Sequence, residues 1–185
     1  MTIRFTKTPA VSRTQPSIEA DHLILRPLGR QDAALLHIYT SDRRVAEGTR
    51  SIPHPLTAAA TQAYIDAAVA EDRDEDVWAI DGRPQGAPSF LGVVSLKSLD
   101  RNQSQIGYWV APDFWHAGIA SSAVKALLDT NPHRNKTVFA EVFQDNPVSA
   151  RVLTNAGFDY IGDAEAHSLA RHATVPTWTY LRKLA

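Results

Sequence analysis

Apolar and polar positions fall into short blocks whose period changes along the chain. LILRPL (23–28) places Leu23, Leu25 and Leu28 in a strand pattern that ends at Pro27. Asp32 then opens a helical pattern with Ala33, Leu35, Leu36 and Tyr39 on one face. SIPHP (51–55) reads as a loop, and Thr57 as the N-cap of a helix with Ala60, Tyr64, Ala67 and Ala68 along one side. The acidic run 71–76 is expected to be a solvated helix terminus and not a metal site. VWAI (77–80) and FLGVVSLKSL (90–99) predict two strands joined by the turn-rich DGRPQGAPS. IGYWVA (106–111) predicts another, broken by Pro112.

The second half repeats a strand-then-helix theme. Apolar residues at 119, 120, 123, 124, 127 and 128 predict a helix that Asn131-Pro132 stops. TVFAEVF (137–143) is apolar except for Glu141, so it is expected mid-sheet. A helix over 147–156 has Asn146 as N-cap, Pro147 at its first position and Gly157 as a left-handed stop, with Val148, Val152 and Leu153 packing inward. Strands near 160–164 and 178–181 complete the order. It implies a mixed sheet with helices on both faces. Residues 1–17 read as an arm with one short strand at 3–6, and residues 18–185 as a single domain.

Composition narrows the chemistry. The formal net charge is −1 and no basic stripe occurs, so nucleic acid is not an expected partner. Cysteine is absent, which excludes disulfides, thiolate metal sites and a cysteine nucleophile. No apolar run has membrane-spanning length and the N-terminus lacks a signal-peptide centre, so a soluble cytoplasmic protein is expected. The histidines lack an HExxH pattern, and no G-x-S-x-G elbow is present. Neither a zinc site nor a serine-hydrolase triad is expected.

Two helix starts carry candidate binding chemistry. FWHAGIASSAVKALL (114–128) follows a strand, and its free backbone N–H groups beside Gly118 suit a phosphate. It is neither a Walker loop nor a GxGxxG. QDNPVSARVLTNAGF (144–158) places the Ser149 hydroxyl in a helix's first turn, where negative charge is stabilised.

With LILRPLGRQDAALL, IGYWVAPDFWHAGIASSAVKALL and AEVFQDNPVSARVLTNAGF in this order across 23–181, the sequence resembles the GNAT superfamily of acetyl-CoA-dependent N-acetyltransferases, specifically its RimJ/RimL-like group. The resemblance implies an α+β fold: a three-layer α/β/α arrangement whose mostly antiparallel sheet splays into a V at the acetyl-CoA site. It assigns the pantetheine arm to Trp109, Val110 and Ala111. It assigns the pyrophosphate to Trp115, His116, Ala117, Gly118, Ile119 and Ala120. His116 stands where the group commonly has glycine, and Ala117 where a basic or polar residue is common. Asn146 corresponds to the asparagine that helps hold the cofactor arm. Leu153 fills the position of the tyrosine acid of many GNAT enzymes, and Ser149 matches the serine the RimJ/RimL group is thought to use instead.

The implied reaction is direct attack of a neutral amine on the acetyl thioester. A backbone N–H near Val110 polarises the carbonyl and Ser149 protonates the leaving thiolate. Glu141, Glu165 and His167 are candidate proton acceptors. The acceptor is a small-molecule amine or a protein N-terminus, selected by segments 48–56 (with His54), 82–88 and 165–176. No metal is expected, and a homodimer is. The alternative is a catalytically silent acyl-CoA-binding sensor or scaffold of the same fold.

Overall fold

The computed structural model describes residues 14–185, so the strand expected at 3–6 lies outside the described residues. Eight strands form one sheet: β1 (Ile18–Ala20), β2 (Leu23–Pro27), β3 (Glu75–Asp81), β4 (Gly92–Leu99), β5 (Gln103–Val110), β6 (Thr137–Phe143), β7 (Asp159–Ser168) and β8 (Ala173–Lys183). Their order is β1-β2-β3-β4-β5-β6-β8-β7. Every neighbouring pair is antiparallel except β5 and β6.

Five helices cover the sheet: α1 (Ala33–Thr40), α2 (Arg43–Glu47), α3 (Ala58–Val69), α4 (Ile119–Thr130) and α5 (Pro147–Asn155). Successive side chains of a strand point to opposite faces. Val77 and Ala79 of β3 therefore meet Leu36 and Ile65 of α1 and α3, while Trp78 and Ile80 join the cluster of α4 and α5. This is why β3 reads as an unbroken apolar run. Trp78, Leu127 and Leu153 are wholly buried, and burying a side chain of that size contributes roughly 1.5–3 kcal/mol. The expected three layers are present.

Local capping follows the sequence. Thr57 accepts from the Ala60 N–H at 3.1 Å, and Asn146 from the Ser149 N–H at 3.2 Å. Asp32 stands at the start of α1 as expected, though its side chain makes no cap hydrogen bond. Its carboxylate is buried and takes both guanidinium arms of Arg26, at 2.7 and 2.9 Å. Other expectations are corrected. The inward side of α3 is Thr61, Ile65 and Ala68, with Ala67 exposed. Val148 on α5 is 62% exposed and not packed inward. α2 and β1 were not read from the sequence, and the last two strands form a hairpin much longer than expected.

The acidic run is not uniformly solvated either. Glu75 and Asp76 begin β3, and buried Asp76 accepts from Arg73 at 2.6 Å while its other oxygen meets His133 Nε2 at 2.8 Å. His133 Nδ1 lies 3.2 Å from the Ser104 hydroxyl, which donates to Asn135 Oδ1 at 2.9 Å. The α4–β6 connection is thereby fastened to β3 and β5. Burial alone would raise the Asp76 pKa, but the hydrogen bonds from His133 and Arg73 outweigh it and hold the carboxyl below its ordinary value.

Candidate active site

β5 and β6 pair only from Gln103–Thr137 to Gln105–Phe139, then diverge. Each keeps its other neighbour along its whole length: β5 is laddered to β4 as far as Gly92–Val110, and β6 to β8 as far as Phe143–Thr177. The sheet therefore opens into a V without leaving either strand unsupported. Gly92 permits the close approach at its rim, because a Cβ there would lie 2.2 Å from the Trp109 carbonyl oxygen.

Ladder geometry decides what the open edge offers. The Ala111 N–H donates to Leu91 O at 2.8 Å, so Trp109 and Gly107 also turn their amides toward β4. The amides of Tyr108 and Val110 then face the gap. The Val110 carbonyl is taken by the Trp115 indole N–H at 2.7 Å, leaving the Val110 N–H free for an incoming acceptor atom. Ala111, expected among the cofactor contacts, is wholly buried, spends its N–H on Leu91 and does not line the cavity.

Two cavities of about 580 Å³ each meet at this gap, sharing Gly48, Thr49, Tyr108 and Trp109. The one on the α4–α5 side holds most of the expected cofactor residues: Trp109, Val110, Trp115, His116, Gly118, Ile119 and Ala120 from β5 and the loop, with Asn146 and Ser149 from α5. Ala117 is exposed but not in its lining. Gly118 caps α4 at φ +73°, no side chain caps that end, and the first turn carries no acid. The helix's first N–H groups are thus available to an anion, and a Cβ at Gly118 would meet nothing within 4 Å. His116 itself adopts φ +63°, the conformation in which glycine is most at ease.

α5 presents Ser149 with its N–H bonded to Asn146 and its carbonyl accepting the Tyr108 hydroxyl at 2.8 Å. The Ser149 hydroxyl takes no partner among the described residues. Burial pushes the Tyr108 pKa well above the ordinary phenol value, so the phenol stays a donor across the gap. This tyrosine was not singled out from the sequence, because its role depends on where α5 falls.

The second cavity lies on the α1–α3 side. Glu141 lines it, engaged by Arg50 Nη1 at 2.5 Å on one oxygen and by the Thr177 hydroxyl at 2.8 Å on the other. His167 also lines it, without a hydrogen-bond partner among the described residues. Glu165 is exposed on β7 and lines neither cavity. Segment 48–56 contributes Arg50, Ile52 and Leu56, whereas His54 and the turn 82–88 contribute nothing to either lining. Arg171, also missed, belongs to the α4–α5 cavity, which it lines while bonding Asp145 at 2.5 Å and the Glu47 carbonyl at 2.8 Å, and it holds the Asp145 carboxyl below its ordinary range.

The profile of the acetyltransferase (GNAT) domain matches residues 22–159. The chain belongs to the GNAT acetyltransferase family, and so to the acyltransferases. Among curated proteins none matches the sequence. Solved structures share the fold. A RimL ribosomal L7/L12 α-N-protein acetyltransferase in complex with coenzyme A superposes with TM-score 0.80 at 16% identity, covering 91% of this chain and 98% of that one. The ribosomal-protein-S5-alanine acetyltransferase from Vibrio fischeri gives 0.76 at 18% identity, over 91% and 97%. Spermidine N-acetyltransferase from Vibrio cholerae, in complex with CoA and spermine, gives 0.70 at 17%, over 86% and 95%. No helix among the described residues is long and apolar enough to cross a membrane.

Proposed function

We propose that this protein transfers an acetyl group from acetyl-CoA to a primary amine, the donor in the α4–α5 cavity and the acceptor in the α1–α3 cavity. The observation that carries this reading is the β5–β6 gap, where the two cavities join beside Tyr108 and Trp109. The donor side fits the cofactor. Uncapped N–H groups of α4 suit phosphate, the inward amides of Tyr108 and Val110 suit an extended amide-bearing arm, and Gly118 leaves room for both.

The chemistry follows from placement. The Val110 N–H is directed at the gap and polarises the thioester carbonyl as the amine nitrogen attacks. As the C–S bond breaks, the Ser149 hydroxyl gives its proton to sulfur and is reprotonated, through water, by the proton that the nitrogen sheds on becoming an amide. The first turn of α5 favours the negative charge developing there. Of the three candidate proton acceptors, His167 is the one that both lines the acceptor cavity and has no partner; Glu141 is committed to Arg50 and Thr177. His167 therefore takes the ammonium proton, directly or through water.

The test is turnover of acetyl-CoA over a panel of amines, read as free thiol. Amine-dependent thiol release is expected. CoA binding without turnover on any amine would instead mark a binding protein.

A further inference from the structure

The acceptor cavity carries a charge pair, Arg50–Glu141, whose arginine keeps most of its donors unused. Each oxygen of Glu141 already accepts a hydrogen bond, one from Arg50 and one from Thr177. Arg50, by contrast, donates only through Nη1 among the described residues, although a guanidinium carries five N–H donors in a rigid fork. Its side chain is half exposed beside the cavity, and its backbone is fixed, because its carbonyl accepts from the Leu169 N–H at 3.1 Å. The other acid of the cavity, Glu75, accepts from the Ser95 hydroxyl at 2.6 Å, and Lys97 lies 3.6 Å from Asp74. Glu75 keeps its second oxygen without a partner among the described residues, but Arg50 is the charged group of this cavity whose spare donors are held in place by a salt bridge inside it.

Its position sets the geometry of a ligand. The Arg50 fork meets Glu141, two residues past the last β5–β6 pair on β6, so it stands beside the opening where the cavities join. An anion bound there is close to the amine being acetylated. We propose, resting on the acetyltransferase reading above, that the acceptor is an amino-carboxylate, with its carboxylate held by Arg50 and its amine directed into the β5–β6 gap. Glu141 then orients the guanidinium instead of binding the substrate's ammonium. Leu36, Tyr64, Val93 and Trp109 supply an apolar wall for the remainder of the molecule.

Matched acceptors test this directly: leucine and phenylalanine, their amides, and the amines left when the carboxylate is removed. Thiol release from acetyl-CoA gives kcat/KM for each. The amide has the lower amine pKa and is the better nucleophile at neutral pH, so intrinsic reactivity opposes the expected order. The free amino acid is expected to exceed its amide roughly tenfold or more, the effect of one charge-assisted fork, expressed mainly in KM. Arg50→Gln should erase that ratio and Arg50→Lys should keep part of it, with thermal unfolding confirming that both variants fold. Equal kcat/KM for acid and amide in the wild type overturns the proposal, as does a ratio that survives in Arg50→Gln. Absence of turnover with every amine overturns the acetyltransferase reading instead.

Discussion

Ser149 and Glu141 show how much a residue's meaning depends on what else reaches it. Both are polar residues beside the gap, but the serine hydroxyl is unengaged while the carboxylate holds a donor on each oxygen. Ser149→Ala should lower kcat by at least about tenfold with little change in acetyl-CoA affinity, because general-acid assistance is typically worth roughly 10²–10⁴-fold. Steady-state kinetics beside calorimetric titration of CoA checks this, and a near-normal kcat refutes the acid role. Asn146 and Ser149 were legible in the sequence because N-cap chemistry operates within a few residues. The Arg50–Glu141 and Arg171–Asp145 pairs were not, since they join residues 91 and 26 positions apart and exist only once the chain has folded.

At the level of elements, the periodicities that fix buried faces were the readable ones. α4 announced itself through its repeat of apolar residues, and β6 through its continuous apolar run. α2 has only five residues, too short for a period to emerge, and β7 is an edge strand whose exposed polar residues mimic a loop. Asp76 was hidden by acidic neighbours, yet it anchors the α4–β6 connection. Asp76→Asn should destabilise the protein by about 3 kcal/mol, as expected when one member of a buried charged network is removed. A carboxyl with a depressed pKa contributes stability above its unfolded value and loses it as the pH falls through the folded one. The gap between wild type and variant, measured by urea unfolding, should be full above about pH 4 and close progressively below it. A gap unchanged at acid pH would show that the carboxylate charge is not what fastens the connection.

Across the whole molecule, the two cavities open on opposite faces of one sheet and meet inside it. On the proposed assignment both reactants are bound at once, and the chain has no cysteine to carry an acetyl group between them. Initial-velocity plots should therefore intersect, and mass spectrometry should find no acetylated protein after exposure to acetyl-CoA alone. Parallel lines would point to a covalent intermediate. The homodimer expected from the family resemblance is checked by light scattering over a range of concentrations. The V also has a consequence for isotope exchange. Gly107 and Trp109 bond their amides to β4, while the alternating amides of Tyr108 and Val110, on the same strand, have no strand to meet. In deuterated water Tyr108 and Val110 should take up label quickly and their neighbours slowly. Adding CoA should slow the fast pair alone, so that one strand records, amide by amide, whether the donor cavity is filled.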